Sequence, residues 1–547
     1  MAKFNEKKVG THLPTETNLM GEKAYKLDPR EELVSTVLTT FLQKSYYEKE
    51  KEIVERIKKS AVACDPLFVA KTAMYARTEA NMRTVSHLLA AELAPRISGE
   101  EWAKRFYNKI LVRPDDMSEI LSYYKNVMKQ KAVPNAMRKG FKSKLENLDP
   151  YLIDKYKMPG RAISLIDLVN LFRPKSTQKN AEAFKLLMTK DGKGIDKLYS
   201  SKILEKEMSK AGTVSKEKVQ EAKKEAIEAV LDNDKGMPIF NLLRNLRNIV
   251  LNAPDSIDEA IRQLTTPETI YKSRLLPFRF LSAYIEIDNL KTTSVVEKSA
   301  IIFEDEIKTR KVNTTELAAI KAKLLPAIEK AIELSCANIP ELEGRTAVLI
   351  DHSGSMRGDG GGSSLVSVLS KTTVVDIADV FAAMMISKQP NVYVGLFGDK
   401  LLPFKVNRDE GILQTTRRMF AEGRSCGGGT EQSVYTFFRE IIRDKKAIDN
   451  IIVFSDMVIG ERNSWYGLHS SGDHSGSFQK LFADFRKMYP HTKVISVDIH
   501  QTSGTTVFNK NLNVTQVAGW SEKIFDVISS GTAGYKAIIE EIEKIVI

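Results

Sequence analysis

Apolar and polar positions follow two different periods along the chain. Between about Pro29 and Ala337 apolar residues recur three and four positions apart, as in Leu33, Val37 and Phe41, which is the spacing of one face of an α-helix. Helices are predicted over Lys49 to Val62, from Asp65-Pro66 onward, over Val85 to Leu93, and over Thr315 to Leu334. Proline and glycine recur between them. This half is predicted to be a stack of helical hairpins.

From Thr346 onward short apolar runs alternate with amphipathic helices. Strands are predicted at Ala347–Ile350, Val392–Phe397, Ile451–Phe454, Val494–Asp498 and Leu512–Val517. Helices are predicted near Val374–Ser387, Gly411–Phe420, Glu431–Arg443, Phe478–Met488 and Tyr535–Ile545. This alternation is typical of an α/β domain with a mainly parallel, doubly wound, Rossmann-like sheet.

The change of period lies at Asn338 to Gly344 and predicts two domains, residues 1–340 and 341–547. Two stretches fit neither pattern well. Lys190 to Ala229 is rich in lysine and glutamate, which indicates an exposed helical hairpin or a partly mobile insertion, and Ser294 to Asn313 is irregular. Arg357 to Ser364 is predicted to be a loop that covers the motif before it.

Five oxygen-bearing side chains follow predicted strands or begin a predicted helix. Asp351, Ser353 and Ser355 alternate directly after the first strand, Thr430 follows a glycine turn, and Asp456 ends an apolar strand. Carboxylates and hydroxyls are the ligands of hard cations, and open α/β sheets bind ligands at the carboxyl ends of their strands. We therefore predict a divalent-cation site, for Mg²⁺ first and for Mn²⁺ or Ca²⁺ as alternatives.

The formal net charge is +12, and the basic residues cluster in the helical half. The candidates for phosphate contact are Arg138, Lys139, Lys142, Lys144, Lys155, Lys157, Arg161, Arg173 and Lys175, with Arg244 and Arg247 on a later helix. Tyr151 and Tyr156 lie among them and could stack on unpaired bases. Solvated helix faces, or ion pairs in the case of the two later arginines, would explain the same residues.

Composition narrows the class of protein. The three cysteines have no paired spacing, which argues against a disulfide framework and fits a reducing cytoplasm. The first residues lack the apolar core of a signal peptide, and no apolar run approaches the length that crosses a bilayer. No phosphate-binding loop, HExxH motif or evident nucleophile with a base is present, so we expect no enzymatic activity.

The motifs DHSGSM, GGGT and FSD, in this strand order, resemble the von Willebrand factor A domain and its metal-ion-dependent adhesion site. The resemblance implies that Ser353 and Ser355 bind the cation directly and Thr430 directly or through water. It implies that Asp351 and Asp456 act partly through water and that one position stays open for a partner's carboxylate. His352 is then expected to point away from the cation.

The helical half resembles the TROVE module, through TNLMG at Thr17, AKTAMYAR at Ala70, LLRNLRN at Leu242 and SRLLPFRFLSA at Ser273. Followed by an A domain, this order resembles the Ro autoantigen family of RNA-binding proteins. The resemblance implies an all-α ring of HEAT-like helical repeats followed by the α/β domain. Misfolded RNA would enter the ring by its single-stranded 3′ end, and a small non-coding Y RNA would bind the outer surface.

One family motif differs here. Leu165 takes the place of a histidine and Asn170 that of an arginine, which removes two expected polar contacts to RNA. The expected function is a monomeric, cytoplasmic, non-catalytic ribonucleoprotein scaffold in RNA quality control, with a protein partner such as an exoribonuclease docked at the cation. The alternative is a metal-dependent adhesion or assembly module that binds no RNA.

Overall fold

The helical half contains fifteen α-helices in the part of the chain that the structure describes. The computed structural model describes residues 14, 16–18, 23–39, 50–80, 82–158, 160–188, 237–273, 275, 277–290, 314–338, 342–359, 364–365, 372–430, 433–460, 478–499, 505–509, 514–518 and 534–547. These helices are α1 Pro29–Thr39, α2 Glu50–Val62, α3 Pro66–Thr78, α4 Arg83–Glu92, α5 Ala103–Lys109, α6 Pro114–Ser122, α7 Asn135–Glu146, α8 Pro150–Lys155, α9 Leu165–Phe172, α10 Ala181–Leu187, α11 Ile239–Asn252, α12 Ile257–Thr265, α13 Pro267–Ser273, α14 Pro277–Asp288 and α15 Thr314–Ser335.

A buried ionic network joins three of the early helices. Asp116 on α6 is fully buried, and its carboxylate accepts hydrogen bonds from Arg77 of α3, 2.9 Å away, and from Arg83 of α4, also at 2.9 Å. The His87 ring lies 3.0 Å from the same carboxylate, and the backbone N–H of Arg113 donates to it at 2.9 Å. Because a buried charge is tolerated only when it is paired, this network fixes how α3, α4 and α6 meet.

The α/β half is built on one six-stranded sheet. Its strands are β3 Thr346–Asp351, β4 Val392–Phe397, β5 Leu401–Phe404, β6 Asn450–Ser455, β7 Lys493–Asp498 and β9 Val514–Ala518, in the order β5-β4-β3-β6-β7-β9. All neighbours pair in parallel except β5, which runs antiparallel to β4 at one edge. The helices are α16 Gly354–Arg357, α17 Val374–Lys388, α18 Ile412–Gly423, α19 Ser433–Asp444, α20 Phe478–Met488 and α21 Gly534–Lys544.

The α/β half contacts both ends of the helical half, so the chain closes into a ring. At one end α14 and α15 pack against α17 and α18. At the other, α21 packs against α1 and α3. Three short strands, β1 Glu16–Thr17, β2 Lys23–Lys26 and β8 Thr505–Thr506, form a second sheet in which β2 pairs with β8 from the other half.

The expected fold, a helical-repeat ring followed by a doubly wound α/β domain, is confirmed. The division at residues 340 and 341 stays a prediction, and the pairing of β2 with β8 crosses it. The predictions for Lys190 to Ala229 and for Ser294 to Asn313 fall outside the described residues, as do residues 360–363, half of the loop predicted from Arg357 to Ser364. Within the described ranges no helix is long and apolar enough to cross a membrane.

Candidate metal centre and nucleic-acid interface

The two central strands bring the predicted carboxylates together. β3 and β6 are parallel neighbours, with Ile350 opposite Phe454, so both strands end at the same edge of the sheet. Asp351 closes β3 and is fully buried, and Asp456 follows β6 and is 3% exposed. The hydroxyl of Ser455 donates to Asp351 Oδ2 at 2.6 Å, which holds this carboxylate between the two strand ends.

The turn after β3 points both serine hydroxyls into one place. The backbone N–H of Ser353 donates to Asp351 Oδ1 at 2.8 Å, so the turn is bent around the carboxylate. The hydroxyls of Ser353 and Ser355 lie 3.1 Å apart, and Ser355 also hydrogen bonds to Asp456. Four of the five predicted ligands therefore form one connected, buried cluster.

The fifth predicted ligand lies on a loop that packs against this cluster. Thr430 is buried, and its hydroxyl donates to the carbonyl of Val458, two residues beyond Asp456, at 2.9 Å. The N–H of Gly354 donates to the carbonyl of Gly428 at 2.8 Å, which joins the glycine loop to the serine turn. The structure thus brings all five predicted ligands to one edge of the sheet.

Two side chains that the sequence did not indicate hold the glycine loop. Asp399, in the turn after β4, accepts hydrogen bonds from the N–H groups of Gly428 at 3.2 Å and Gly429 at 2.6 Å. Arg357 donates to the carbonyl of Gly427 at 3.3 Å. Gly427 has a φ of 94°, and a side chain there would overlap the Asp399 carboxylate, so this turn requires glycine. In the sequence, the only sign of Asp399 was its place as an acidic residue shortly after an apolar strand.

The buried surroundings of the two carboxyl groups disfavour their negatively charged form. Burial, followed by the nearby charge of Asp351, raises the pKa of Asp456 to about 7, against a hydrogen bond from Ser355 that lowers it. Burial also raises the pKa of Asp351, against hydrogen bonds from Ser353 and Ser455 that lower it. Two acids pressed together away from water gain stability from a positive charge between them.

His352 points away from this cluster, as the resemblance implied. Its Nε2 lies 2.9 Å from Asp379 on α17, and both side chains are fully buried. A side chain on Gly423 would overlap the imidazole, so α18 passes this ring closely. Burial raises the pKa of Asp379 to about 6, although the charge of His352 opposes that rise. The pair therefore anchors the turn against α17 and α18.

The donor set fits a hard divalent cation. It consists of two carboxylates and three hydroxyls, with no thiol or imidazole, and such all-oxygen sets suit Mg²⁺, Mn²⁺ or Ca²⁺. In the described residues no group of three or more histidine, cysteine or acidic side chains could hold a metal ion, and this centre itself has only two acids beside its hydroxyls. Cation binding stays a prediction.

Helix α7 presents the first part of the predicted basic surface. Met137, Gly140, Phe141 and Leu145 are buried, and the Phe141 ring contacts Tyr107 edge to face at a centroid distance of 6.0 Å. This packing turns the other side of the helix outward, where Arg138 and Lys139 are exposed and Lys142 and Lys144 are half-buried. Burial lowers the pKa of Lys144, against the charge of Asp116.

The segments that follow extend this basic surface. Arg161, Arg173 and Lys175 are exposed, and the N–H of Lys175 donates to the Glu146 carboxylate at the end of α7 at 3.0 Å. Lys157 is half-buried, and nothing is described of the side chains of Lys155 and Tyr151. We define the basic face as the described members of this set: Arg138, Lys139, Lys142, Lys144, Lys157, Arg161, Arg173 and Lys175.

Three residues of this region have surroundings that the sequence could not indicate. The Arg113 guanidinium lies 4.8 Å from the centre of the Tyr156 ring, so one face of this ring is already covered. Leu165 begins α9 and is fully buried, whereas Asn170 is exposed. The position of the family's histidine therefore faces the core in this chain.

Arg244 and Arg247 belong to a different group of helices. Both are exposed on α11, which packs against α12, α13 and α14. Arg247 forms an ion pair with Glu286 of α14 at 2.8 Å, the structural alternative that spacing left open. Arg244 lies 5.8 Å from the ring of Phe240. The predicted RNA contacts thus divide into the basic face and a second place on α11.

Comparisons with known proteins agree with this architecture. The family model described as the TROVE domain matches residues 29–229 and 197–344. The crystal structure of the Deinococcus radiodurans RO (RSR) protein is similar in fold, with a TM-score of 0.57 and 13% sequence identity over 92% of this chain and 99% of that chain. A search of curated protein sequences found no match.

Proposed function

Since the chain belongs to the TROVE domain family, whose members bind RNA, we propose that it is a non-catalytic RNA-binding ring protein. Its RNA would be a small structured non-coding RNA, the single-stranded 3′ end of misfolded RNA, or both. It would serve in RNA quality control as the scaffold of a ribonucleoprotein. The main support for this proposal is the basic face, because it lies within the residues that match the TROVE domain model.

The basic face has the electrostatic character that phosphate binding needs. Arg138, Lys139 and Lys142 project from one side of α7, whose only acidic residue is Glu146 at its last position. The backbone N–H of Lys175 donates a hydrogen bond to one oxygen of the Glu146 carboxylate. Each phosphate neutralised by such a surface releases counterions, so binding is tight at low salt and weakens steeply as salt is added.

The single-stranded 3′ end is the better supported of the two RNA classes. A structured Y-like RNA would need polar contacts at the positions of Leu165 and Asn170, and Leu165 is buried in the core. The remaining positive groups around α9, Arg161 and Arg173, contact phosphates without regard to sequence. A single strand held mainly through its backbone meets that requirement.

The RNA proposal is tested by charge reversal on α7. The variant Arg138→Glu, Lys139→Glu, Lys142→Glu is compared with Lys480→Glu, Lys493→Glu, Lys536→Glu, which changes the net charge equally on exposed positions of the α/β half. The probes are an RNA duplex with a single-stranded 3′ extension and the same duplex with blunt ends. We expect the α7 variant to lose at least roughly tenfold in affinity and about two units of salt slope.

Two results would overturn the RNA proposal. One is equal loss in both charge-reversed variants, because the effect would then be one of net charge and would assign no surface. The other is a wild-type protein with no salt-sensitive affinity for either probe. A purified protein whose ultraviolet spectrum shows no bound nucleic acid would point to the alternative, an assembly module that binds no RNA.

We propose further that Asp351, Ser353, Ser355, Thr430 and Asp456 hold one divalent cation, with Mg²⁺ first. The cation would place a positive charge between two buried acids and offer an open position to a carboxylate of a protein partner, such as an exoribonuclease. The connected hydrogen bonds among Asp351, Ser353 and Ser355 support this proposal. The scaffold would act as a monomer in the cytoplasm.

The docking proposal is tested by capturing partners with the immobilised native protein in Mg²⁺ and in EDTA. We expect capture to require Mg²⁺ and to be lost in Ser353→Ala, while RNA affinity stays within about twofold of wild type. Capture that is indifferent to both the chelator and Ser353→Ala would remove the docking role and leave the RNA proposal untouched.

A further inference from the structure

The residues before the first helix are attached to the α/β half, although they precede the helical half in the chain. We call residues 16–18 and 23–26 the N-terminal strap. Its strand β2 pairs with β8. The side-chain amide of Gln479, on α20, donates to the carbonyl of Lys23 at 2.7 Å and to that of Val507 at 3.1 Å, which ties the strap to the segment after β8. The strap therefore joins the two halves independently of helix packing.

Asn18 brings the strap to the segment that follows Asp456. The Asn18 side chain is buried, and its amide donates to the carbonyl of Ile459 at 2.5 Å, across 441 positions of the sequence. Ile459 is fully buried and lies only three residues after Asp456. Because a carbonyl that is left unpaired away from water destabilises the fold, this hydrogen bond fixes where the segment after Asp456 lies.

Residues 457–459, which we call the β6 loop, are also bonded to the candidate cation site. The N–H of Val458 donates to Asp456 Oδ1 at 3.1 Å, and the carbonyl of Val458 accepts from the Thr430 hydroxyl at 2.9 Å. Both partners are predicted cation ligands, and Asn18 bonds the next carbonyl along the loop. The cation site and the strap therefore share the β6 loop, and a shift of this loop would move both.

The backbone of the β6 loop is strained at its first residue. Met457 has a φ of 60°, in the left-handed region that residues other than glycine rarely adopt. Such a conformation persists only where its surroundings hold it. Here the N–H of Met457 donates to the Ser455 hydroxyl at 3.0 Å, and the Ser496 hydroxyl donates to its sulfur at 3.1 Å. When a contact of the loop is lost, relaxation at Met457 would displace the neighbouring Asp456 carboxylate.

We propose that Asn18 is a positioning residue for the cation site, and that the N-terminal strap couples cation binding to closure of the ring. Asp456 and Thr430 would hold the β6 loop more firmly when they share a cation, and the loop in this form offers the Ile459 carbonyl to Asn18. The strap leads into α1, against which α21 closes the ring. A filled cation site therefore favours the closed ring. This inference deepens the proposed cation site, on which it rests.

The first test measures the affinity of the full chain for Mg²⁺ by titration calorimetry. Asn18→Ala removes the hydrogen bond to the β6 loop and should weaken Mg²⁺ binding roughly fivefold or more, as expected for coupled sites. The matched control is Asn180→Ala in the helical half. Asn180 is also buried, and its amide also donates to backbone carbonyls, those of Glu146 at 2.9 Å and Leu148 at 3.2 Å. The control should bind Mg²⁺ as wild type does.

The second test uses wild type alone, so it does not depend on how well Asn18→Ala folds. Coupling between two sites is reciprocal, and the factor by which Asn18→Ala weakens Mg²⁺ binding should return as a change in local opening. Compared with EDTA, saturating Mg²⁺ should slow amide hydrogen exchange in β2 and α1 by about that factor. Exchange in α4, which does not contact the strap or the cation site, should not change.

Each result decides between the possible outcomes. Equal Mg²⁺ affinity in wild type and Asn18→Ala, or equal losses in Asn18→Ala and Asn180→Ala, would overturn the positioning role of Asn18. Exchange in β2 and α1 that is the same in Mg²⁺ and in EDTA would overturn the coupling to ring closure. A wild-type protein that binds no Mg²⁺ would instead remove the proposed cation site and this coupling with it, so the two failures are distinguishable.

Discussion

The guanidinium of Arg30, in the first described helix, lies 2.5 Å from the carboxylate of Glu543, in the last. Around this pair α21 packs against α1 and α3, and its residues Ile538 and Ile542 are buried in the core that these helices share. The ammonium of Lys71 donates to the carbonyl of Glu543, and Arg105 donates to the carbonyl of Ile547 at 3.1 Å. This contact closes the ring at one end of the helical half.

We expect the apolar part of that contact, and not the ion pair, to hold the ring closed. Ile542→Ala should lower the free energy of unfolding by about 2–5 kcal/mol, because its side chain is fully buried. Arg30→Ala should cost no more than about 1 kcal/mol, since both partners are nearly half exposed. Chemical denaturation measures both values, and hydrogen exchange in residues 29–39 should rise only in Ile542→Ala. Equal effects of the two substitutions would contradict this ranking.

The Asp116 network should be the most sensitive polar site in the helical half. Asp116→Asn leaves Arg77 buried without its counter-charge and should cost about 3–5 kcal/mol. Asp115→Asn, one residue away and partly exposed, is the control and should cost clearly less. Thermal unfolding compares the two. A cost below that of the control would mean that the network does not stabilise the meeting of α3, α4 and α6.

The same network predicts how the helical half responds to acid. Burial alone would raise the pKa of Asp116, but the hydrogen bond and charge of His87, the N–H of Arg113 and the charge of Arg77 outweigh it and hold this pKa well below its usual value of 3.8. A carboxylate with a lowered pKa stabilises the fold above its ordinary pKa and loses that contribution as the pH falls below it. Wild type should therefore lose stability below about pH 4 more steeply than Asp116→Asn.

Cation binding should appear as a thermal shift that depends on the five oxygen ligands. At a Mg²⁺ concentration about a hundred times its dissociation constant the stabilisation is about 2.7 kcal/mol. Asp351→Asn and Ser353→Ala should remove most of the shift, while Asp409→Asn, an exposed acid of the same half, should keep it. A shift that survives in Ser353→Ala would place the cation elsewhere.

The burial of Asp456, together with its repulsion by Asp351, predicts a pH dependence with the opposite sign to that of Asp116. Because the pKa of Asp456 is raised to about 7, its contribution is present below the ordinary value of 3.8 and is lost as the pH rises through 7. The thermal midpoint gained on adding Mg²⁺ should therefore be larger at pH 8 than at pH 6. If Asp456 causes the difference between pH 6 and pH 8, Asp456→Asn should remove it. A Mg²⁺-induced rise in the thermal midpoint that does not depend on pH would contradict the role given to Asp456.

Periodic segments were predictable from the sequence, often to the residue. Val392–Phe397 and Phe478–Met488 have the bounds that their apolar spacing predicted. The strands β2 and β5 were missed because they are only four residues long, and β5 contains Pro403. Strand β2 pairs with a segment some 480 positions later, a partner that no local pattern indicates.

The candidate cation site was more predictable than the RNA surface. Ligands to a hard cation carry oxygen, and in an open α/β sheet they lie near the strand ends; both properties can be read from the sequence. Asp399 and Ser455 act by holding backbone or another ligand, which depends on tertiary packing. Tertiary packing also explains why the sequence did not show that Arg113 covers Tyr156 or that Leu165 faces the core. The same holds for Phe240, whose ring lies between two arginines.

The contact of α21 with α1 has a consequence for synthesis of the protein on the ribosome. The helices that carry the basic face are made well before the segment that closes the ring. At typical elongation rates the intervening part takes roughly 20–70 seconds to translate. During that interval the nascent chain is an open arc, and an RNA with no free end could settle into it before the ring is shut around it.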